Sequence, residues 1–220
     1  MITGKNNCNE TKLLLIRHGE SEANRQRIFA GHLNVALVDR GIKQAEFAAG
    51  YIQKNYKIDK IYSSDLLRAY QTAECISKVT GIEIIQDPQL REIFAGSWEG
   101  NKLDRLIELF PEDFHVWNTD IGKTNCTNGE SVKELGERIY NALSKIAKEN
   151  IGKTVVVVTH ATPIRVAETL FAKGCLDYMK DVPFVSNASL TEVIWKEAKF
   201  QLVVVGIDDY ISEIRTNSLA

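Results

Sequence analysis

The chain has 220 residues and a formal net charge of −2, from 27 basic and 29 acidic side chains, and 44% of its residues are hydrophobic. These values are typical of one globular domain and give no electrostatic basis for general nucleic-acid or membrane binding. The chain starts with polar residues, contains no run of ~18 apolar residues that would span a membrane, and has four cysteines without the C-x-x-C spacing of zinc sites. We therefore expect a cytoplasmic protein with reduced thiols.

Hydrophobic periodicity predicts alternating strands and helices along the chain. Strands are expected at 13–16, 57–62, 83–85, 153–159, 189–195 and 199–205. Helices are expected at 39–56, 66–80, 102–110, 131–150 and 163–173. Asp39 and Ser63-Ser64-Asp65 are plausible caps for the first two helices. Residues 1–11 are polar and are expected to form a flexible tail, which leaves a single domain at 12–220.

The alternation of strands and helices predicts a three-layer α/β/α sandwich with a mostly parallel central sheet. The strand at 153–159 is the clearest, because four successive valines suit a strand that is buried on both faces. The segment 93–130 interrupts the pattern with glycines, aromatic residues, Pro111 and a polar stretch. We expect this segment to be an insertion that covers the functional site.

Polar residues with distinctive chemistry follow three of the predicted strands. Arg17 and His18 follow the first strand and His160 follows the valine strand. Arg68 lies in the first turn of the helix after the second strand. In a parallel sheet these strand ends meet at one edge, where ligands bind. Because guanidiniums suit phosphoryl oxygens and a neutral imidazole is a competent nucleophile, the grouping predicts a phosphate site.

Four segments, in order along the chain, resemble those of a known family. Residues 15–24, L-I-R-H-G-E-S-E-A-N, resemble the R-H-G-E-(S/T)-x-x-N signature of the phosphoglycerate mutase-like histidine phosphatases (branch 1). Residues 63–73 resemble the S-S-D-L-x-R-A-x-Q-T-A segment of that family, and residues 90–100 its L-x-E-x-x-x-G-x-W-E-G loop. Residues 158–160, V-T-H, resemble its second-histidine strand end. The resemblance covers most of the chain and implies the phosphoglycerate mutase-like fold.

The resemblance also implies phosphoryl transfer without a metal or a cofactor. His18 would be phosphorylated, while Arg17, Arg68 and His160 would bind the nonbridging oxygens and stabilise their charge. Glu92 would protonate the leaving oxygen and would then activate the water that attacks the phosphohistidine.

Further residues are implied as substrate contacts. They are Asn24, Gly31, Ala161 and Glu130. Two of these residues have an alternative structural role: Asn24 as a helix cap, and Glu130 as part of a helix start. Glu99 lies in the same loop as Glu92 and is an alternative for the general acid.

Two stretches depart from the family pattern. Ala161-Thr162 follows the second histidine where many relatives have Gly-Gly or Gly-Asn, and an alanine keeps the backbone N–H if its φ is negative. In the segment 29–38, Asn34, Ala36 and Val38 stand where relatives often have Asp, Pro and Thr. These changes remove a carboxylate, a rigid turn residue and a possible helix cap from the substrate side, so the particular substrate is not readable.

The loop at 93–100 resembles the phosphatase branch more than the N-E-R-H-Y-G loop of the 2,3-bisphosphoglycerate-dependent mutases. The resemblance therefore implies a hydrolase that acts on a small phosphorylated metabolite. One alternative is a 2,3-bisphosphoglycerate-dependent mutase. The other is a noncatalytic phospho-ligand binder, which is disfavoured because a nucleophile, phosphate ligands and an acid are all present. We expect a monomer or a homodimer.

Overall fold

The computed structural model describes residues 9–216 as a six-stranded sheet between two layers of helices. The strands are β1 (Glu10–Arg17), β2 (Lys60–Ser63), β3 (Ile84–Gln86), β4 (Thr154–Thr159), β5 (Leu190–Lys196) and β6 (Lys199–Ile207). The helices are α1 (Glu22–Gln26), α2 (Asp39–Asn55), α3 (Leu67–Thr80), α4 (Leu103–Leu109), α5 (Pro111–Thr119), α6 (Val132–Glu149) and α7 (Ala161–Lys173). Among the described helices, none combines the length and the apolar character needed to cross a membrane.

The sheet has the strand order β3-β2-β4-β1-β5-β6. The first four strands in this order are parallel to one another, whereas β5 runs antiparallel to both β1 and β6. Parallel neighbours need crossover connections, which the helices provide on the two faces of the sheet. The expected α/β/α sandwich with a mostly parallel sheet is thereby confirmed, and the carboxyl ends of β1, β2 and β4 lie side by side.

The valines of β4 show how the sequence produces three layers. All four side chains, Val155 to Val158, are fully buried. Val155 and Val157 pack in one cluster with residues of α6 and α7, whereas Val156 and Val158 pack in a second cluster with residues of α2 and α3. Because successive residues of a strand point to opposite faces, a continuous apolar run is what a strand covered on both sides requires.

The expected tail at residues 1–11 is wrong at its last two positions, because β1 begins at Glu10. Thr11 is fully buried, and its hydroxyl donates to the carbonyl oxygen of Ala147 at 2.8 Å. This hydrogen bond to the end of α6 satisfies the buried hydroxyl, so a polar residue is tolerated in the strand. The rest of the expected tail, residues 1–8, lies outside the described residues.

The structure contains two helices that the sequence pattern does not predict. In α1 a capping box joins Ser21 and Asn24, and the helix is too short to show a hydrophobic period. α5 begins at Pro111, which sequence analysis placed at the end of a helix although proline also suits a first turn. Asp39 is the first residue of α2 rather than its cap, since Val38 occupies the cap position.

Two glycines allow the loop after β1 to approach α2 closely. A Cβ atom on Gly41 would lie 2.0 Å from the carbonyl oxygen of Glu20, and a Cβ atom on Gly19 would lie 2.3 Å from the carbonyl oxygen of Gly41. Gly50 belongs to the same helix, but a Cβ atom there would have no neighbour within 4 Å. The contact at Gly41 therefore positions the loop that follows His18, whereas Gly50 has no such contact.

We predict that Gly41→Ala lowers the free energy of unfolding by about 2 kcal/mol or more, because backbone atoms must move to accept the methyl group. The matched control Gly50→Ala should raise it by about 0.5 kcal/mol, because alanine is the better helix former. Urea denaturation followed by circular dichroism measures both changes. A Gly41→Ala protein as stable as the wild type would contradict the close packing.

Candidate active site

A cavity of about 60 Å³ opens at the carboxyl ends of β1, β2 and β4. Most of the residues predicted from the sequence line this cavity, which is called the phosphate cavity below. They are Arg17, His18, Asn24, Gly31, Arg68, Glu92 and Ala161. His160 lies against His18 at the end of β4. Residues far apart in the sequence thus meet at one edge, as the parallel sheet requires.

His18 is held in one tautomer by two hydrogen bonds. Its Nδ1–H donates to the carbonyl oxygen of Gly19 at 2.7 Å, and its Nε2 accepts from Nε of Arg68 at 3.3 Å. The lone pair is therefore on Nε2. Burial, together with the positive charges of Arg68 and Arg17, lowers the pKa of His18 well below its ordinary value of 6.5. The imidazole is neutral at physiological pH, which is the form that can act as a nucleophile.

Two buried arginines flank this imidazole. Arg68 also donates to the carbonyl oxygens of Gly31 and Leu33, at 2.8 and 2.9 Å. Arg17 donates to a carbonyl oxygen in the segment before β5 at 2.6 Å. Burial lowers the pKa of both guanidiniums to about 10, and the nearby carboxylate of Glu92 opposes the shift. Both groups stay charged at neutral pH, so the cavity is strongly positive.

His160 is fully buried beside His18, with ring centroids 5.1 Å apart. Its Nε2 lies 2.9 Å from Oγ of Ser64, whereas its buried Nδ1 has no hydrogen-bond partner within residues 9–216. Burial and the positive charge of Arg68 lower the pKa of His160 well below 6.5. Two neutral imidazoles therefore lie side by side close to the charge of Arg68.

The structure separates the two carboxylates of the loop after β3. Glu92 lines the phosphate cavity, and its Oε2 lies 3.4 Å from the amide nitrogen of Thr162 at the start of α7. Glu99 instead accepts hydrogen bonds from the amides of His32 and Ala95, at 2.8 and 3.1 Å, and holds those loops together. In the described part of the chain, no group of three or more His, Cys, Asp or Glu side chains is arranged to hold a metal ion.

Glu130 does not line the phosphate cavity, and the substrate contact implied by the sequence stays a prediction. Its carboxylate accepts from Nε and Nη2 of Arg138, both at 2.8 Å, and from the amide of Phe94 at 3.1 Å. Arg138 also donates to three carbonyl oxygens between Gln89 and Glu92, at 2.7 to 3.1 Å. The Glu130 carboxylate is thus paired with an arginine of α6, and this pair braces the segment that carries Glu92.

Asn24, Gly31 and Ala161 line the phosphate cavity, where the sequence placed them. The side-chain oxygen of Asn24 closes the capping box of α1 and also accepts from Nδ2 of Asn187 at 3.3 Å. Gly31 has a φ of +49°, and a Cβ atom there would lie 2.2 Å from the Glu99 carboxylate. Ala161 begins α7 without a positive φ, so alanine is unstrained at this position.

The departures from the family pattern have structural roles. Oδ1 of Asn34 accepts from the amide of Leu67 at 2.7 Å and so caps α3 from a distant loop. This contact fixes the first turn of α3, which carries Arg68. At Val38 the expected loss of a cap is observed, because no side-chain hydrogen bond is made at the start of α2.

Sequence reasoning missed several residues around the site. Nδ2 of Asn187 donates to the carbonyl oxygen of His18 at 3.1 Å. Trp117 and Phe184 line the phosphate cavity, and the hydroxyl of Ser64 contacts the second histidine. The Ser-Ser-Asp motif could have indicated Ser64, but the others lie in α5 and in the irregular segment before β5, where no sequence pattern identifies them.

Comparisons with known proteins identify the family of this chain. A family model described as the histidine phosphatase superfamily (branch 1) matches residues 13–208. Phosphoserine phosphatase 1 from Hydrogenobacter thermophilus is 37% identical over 154 residues, which cover 70% of this chain and 72% of that protein. Phosphoglycerate mutase-like protein 4 from Arabidopsis thaliana is 35% identical over 156 residues, covering 70% and 68%. The chain belongs to the histidine phosphatase superfamily, and within it to branch 1.

A solved structure shows the same fold. Bacillus stearothermophilus YhfR is 28% identical to this chain and superimposes with a TM-score of 0.87. The match covers 92% of this chain and 100% of that structure, so nearly the whole described fold is shared.

We predict that a pH below about 6.5 destabilises the protein through His18 and His160. Burial lowers their pKa values, so both stay neutral in the folded protein while they gain protons in the unfolded chain. Their stabilising effect is complete above the unfolded pKa and is lost as the pH falls. Each histidine contributes a loss of up to about 1.4 kcal/mol per pH unit.

Urea unfolding from about pH 8 to about pH 5 tests this prediction by spanning the ordinary histidine pKa. The slope of the unfolding free energy against pH should be shallower in His18→Gln and in His160→Gln than in the wild type. Exposed His115 on α5 offers the matched control, since His115→Gln should keep the wild-type slope. The prediction is wrong if all four proteins have the same slope.

Proposed function

We propose that this protein is a metal-independent phosphatase that hydrolyses a small-molecule phosphate monoester through a phosphohistidine on His18. The observation that carries the proposal is the neutral imidazole, with its lone pair on Nε2, held between the buried guanidiniums of Arg17 and Arg68. In the proposed mechanism both guanidiniums donate to the nonbridging oxygens, and Nε–H of Arg68 passes from Nε2 of His18 to one of these oxygens, which frees the lone pair for attack. The guanidiniums supply the charge stabilisation that a magnesium ion provides in other phosphoryl-transfer enzymes.

In the first step, Nε2 of His18 attacks phosphorus in line with the ester oxygen. The nitrogen–phosphorus bond forms as the phosphorus–oxygen bond breaks. The hydrogen bond from Nδ1–H to Gly19 keeps the nucleophilic lone pair on Nε2 and stabilises the ring as it becomes positive. Nδ1 of His160 provides a further donor for a phosphoryl oxygen, and Glu92 donates a proton to the leaving oxygen.

In the second step, water attacks the phosphohistidine from the side vacated by the alcohol. Glu92, now a carboxylate, accepts a proton from this water, and the nitrogen–phosphorus bond breaks to restore neutral His18 and release phosphate. The contact between Glu92 and the amide of Thr162 supports this role, because it holds the carboxylate at the cavity. The brace formed by Glu130 and Arg138 limits the movement of the same segment.

Hydrolysis is favoured over transfer to a second substrate hydroxyl. The sequence of the loop at 93–100 supports hydrolysis, because it resembles the phosphatase branch more than the 2,3-bisphosphoglycerate-dependent mutases. The name of the relative from Hydrogenobacter also supports a phosphatase. The relative named as phosphoglycerate mutase-like keeps a 2,3-bisphosphoglycerate-dependent mutase as the second candidate.

We predict that the wild-type protein hydrolyses p-nitrophenyl phosphate in the presence of EDTA. His18→Ala should lower kcat by about 1,000-fold or more, because the nucleophile is lost. Protein quenched in base during turnover should carry the phosphoryl group on His18. Circular dichroism of the variant verifies that it is folded.

Three results would contradict the mechanism. Equal turnover by wild type and His18→Ala would exclude the nucleophile, and loss of activity with EDTA would exclude metal independence. Primer-dependent conversion of 3-phosphoglycerate to 2-phosphoglycerate, faster than phosphate release, would establish the mutase instead.

We predict that Glu92→Gln lowers kcat by about 100-fold or more for alkyl phosphates. The loss should be smaller for p-nitrophenyl phosphate, because its leaving group needs little protonation. Glu99→Gln is the matched control and should mainly lower the melting temperature, because its carboxylate accepts two backbone hydrogen bonds. Loss of turnover in Glu99→Gln, with Glu92→Gln active on alkyl phosphates, would assign the acid to Glu99.

A further inference from the structure

A second cavity lies next to the phosphate cavity. It has a volume of about 420 Å³ and shares Arg27, Leu103, Trp117 and Phe184 with the wall of the phosphate cavity. We call it the outer groove. The outer groove is therefore separated from the phosphate cavity by a wall of these four residues at most.

Positive charge dominates the outer groove. Three of its lining residues are cations, Arg27, Arg165 and Lys180, and one is a carboxylate, Asp104. Arg27 and Lys180 are exposed to solvent. Within residues 9–216 none of the three cations forms an ion pair. Their charges are therefore available to a ligand.

Arg165 is the most unusual of these cations, because it is 9% exposed and yet forms no ion pair within 4 Å in the described part of the chain. Its guanidinium lies 4.3 Å from the ring centroid of Phe184, and one Nη2–H donates to the carbonyl oxygen of Met179 at 2.8 Å. Its buried Nε has no hydrogen-bond partner among residues 9–216. Glu168, one turn further along α7, raises the pKa of Arg165 against the effect of burial, and burial raises the pKa of the Glu168 carboxyl itself to about 7.

Arg27 has a side chain at a position where glycine is usual. It ends α1 with a φ of +55°, in the left-handed region. This conformation disfavours residues that have a Cβ atom, and glycine is the common choice at such a helix end. The chain instead has an arginine there, and this arginine lines both cavities. The arginine side chain thus forms part of the wall of both cavities, which a glycine would not do.

We infer that the outer groove binds an anionic group on the alcohol portion of the substrate, a carboxylate or a second phosphate, through Arg27, Arg165 and Lys180. This inference rests on the proposed function, because it concerns the leaving-group side of the same site. Trp117 and Phe184 contact the carbon atoms between the two anionic groups.

A neutral sugar or polyol fits the outer groove less well. Its hydroxyl groups offer Arg165 no charge to compensate its burial, whereas an anion forms charge-assisted hydrogen bonds with a guanidinium. Three cations around one short groove also attract anionic substrates from solution. The groove therefore selects substrates with two negative groups over those with one.

Matched pairs of esters test the inference. 3-Phosphoglycerate and glycerol 3-phosphate differ in a carboxylate, and fructose 1,6-bisphosphate and fructose 6-phosphate differ in a phosphate. For the wild type, kcat/KM should favour the doubly anionic member of at least one pair by about tenfold or more. The pair with the larger ratio identifies the preferred anion, and the ratio should fall as salt is added.

Variants then assign the preference to the outer groove. Arg27→Gln and Lys180→Gln should each lower the selectivity ratio by about fivefold, and Lys180→Glu by more, because a cation near the anion is lost or reversed. Lys133→Gln, an exposed lysine of α6, is the matched control and should keep the wild-type ratio.

The inference is overturned if the wild-type ratio is near one for both pairs. It is also overturned if the variants lower both members of a pair equally, since the cations would then act on the phosphoryl group or on the fold. Hydrolysis of p-nitrophenyl phosphate separates this failure from that of the proposed function. Turnover of that ester with no anion preference refutes the groove alone, whereas no turnover of any ester refutes both.

Discussion

Arg68 and Arg17 place two guanidiniums, 1% and 2% exposed, beside an imidazole at the carboxyl edge of the sheet. Burying a cation costs several kcal/mol unless other groups replace its lost hydration. For Arg68 the carbonyl oxygens of Gly31 and Leu33 replace part of it. The loop before α2 must therefore lie over the first turn of α3, and Asn34 strengthens the same contact by capping that helix. The cavity and its charge are thus built by one set of hydrogen bonds.

Carboxylates around the site are kept from neutralising this charge. Glu130 is paired with Arg138 and Asp65 with Arg91, so both acidic groups are satisfied outside the cavity. Glu92 is the acidic residue that lines the cavity. A site that must bind a phosphoryl group benefits from this separation, because an internal ion pair would compete with the ligand. The same pairs hold the loop that carries Glu92, so charge separation and positioning have one structural origin.

The two halves of the site come from different parts of the chain. Arg17 of β1 is paired with Thr159 of β4, so His18 and His160 each follow directly on paired strands and their rings come together. This chemistry depends on the register of a buried sheet, which tolerates little change. The outer groove is instead lined largely by α4, α5 and the segment before β5, with Arg27 from the end of α1 and Arg165 from α7. The inferred anion site thus draws most of its wall from outside the paired strands, although α7 also begins at the phosphate cavity.

The sequence by itself determined the buried strands, the sandwich and the grouping of His18 with its two arginines. Apolar runs are a local signal of buried strands, and the ends of parallel strands meet at one edge by topology. The motifs add the resemblance to a known family. Only the tertiary structure showed that Glu92 lines the phosphate cavity while Glu99 accepts two backbone hydrogen bonds, that Glu130 pairs with Arg138, and that Arg165 lines a second cavity. Which carboxylate faces a cavity depends on which donors reach it, and the donor to Glu99 from His32 is 67 residues away. Sequence spacing does not predict which backbone donors reach each carboxylate, because tertiary packing brings those donors together.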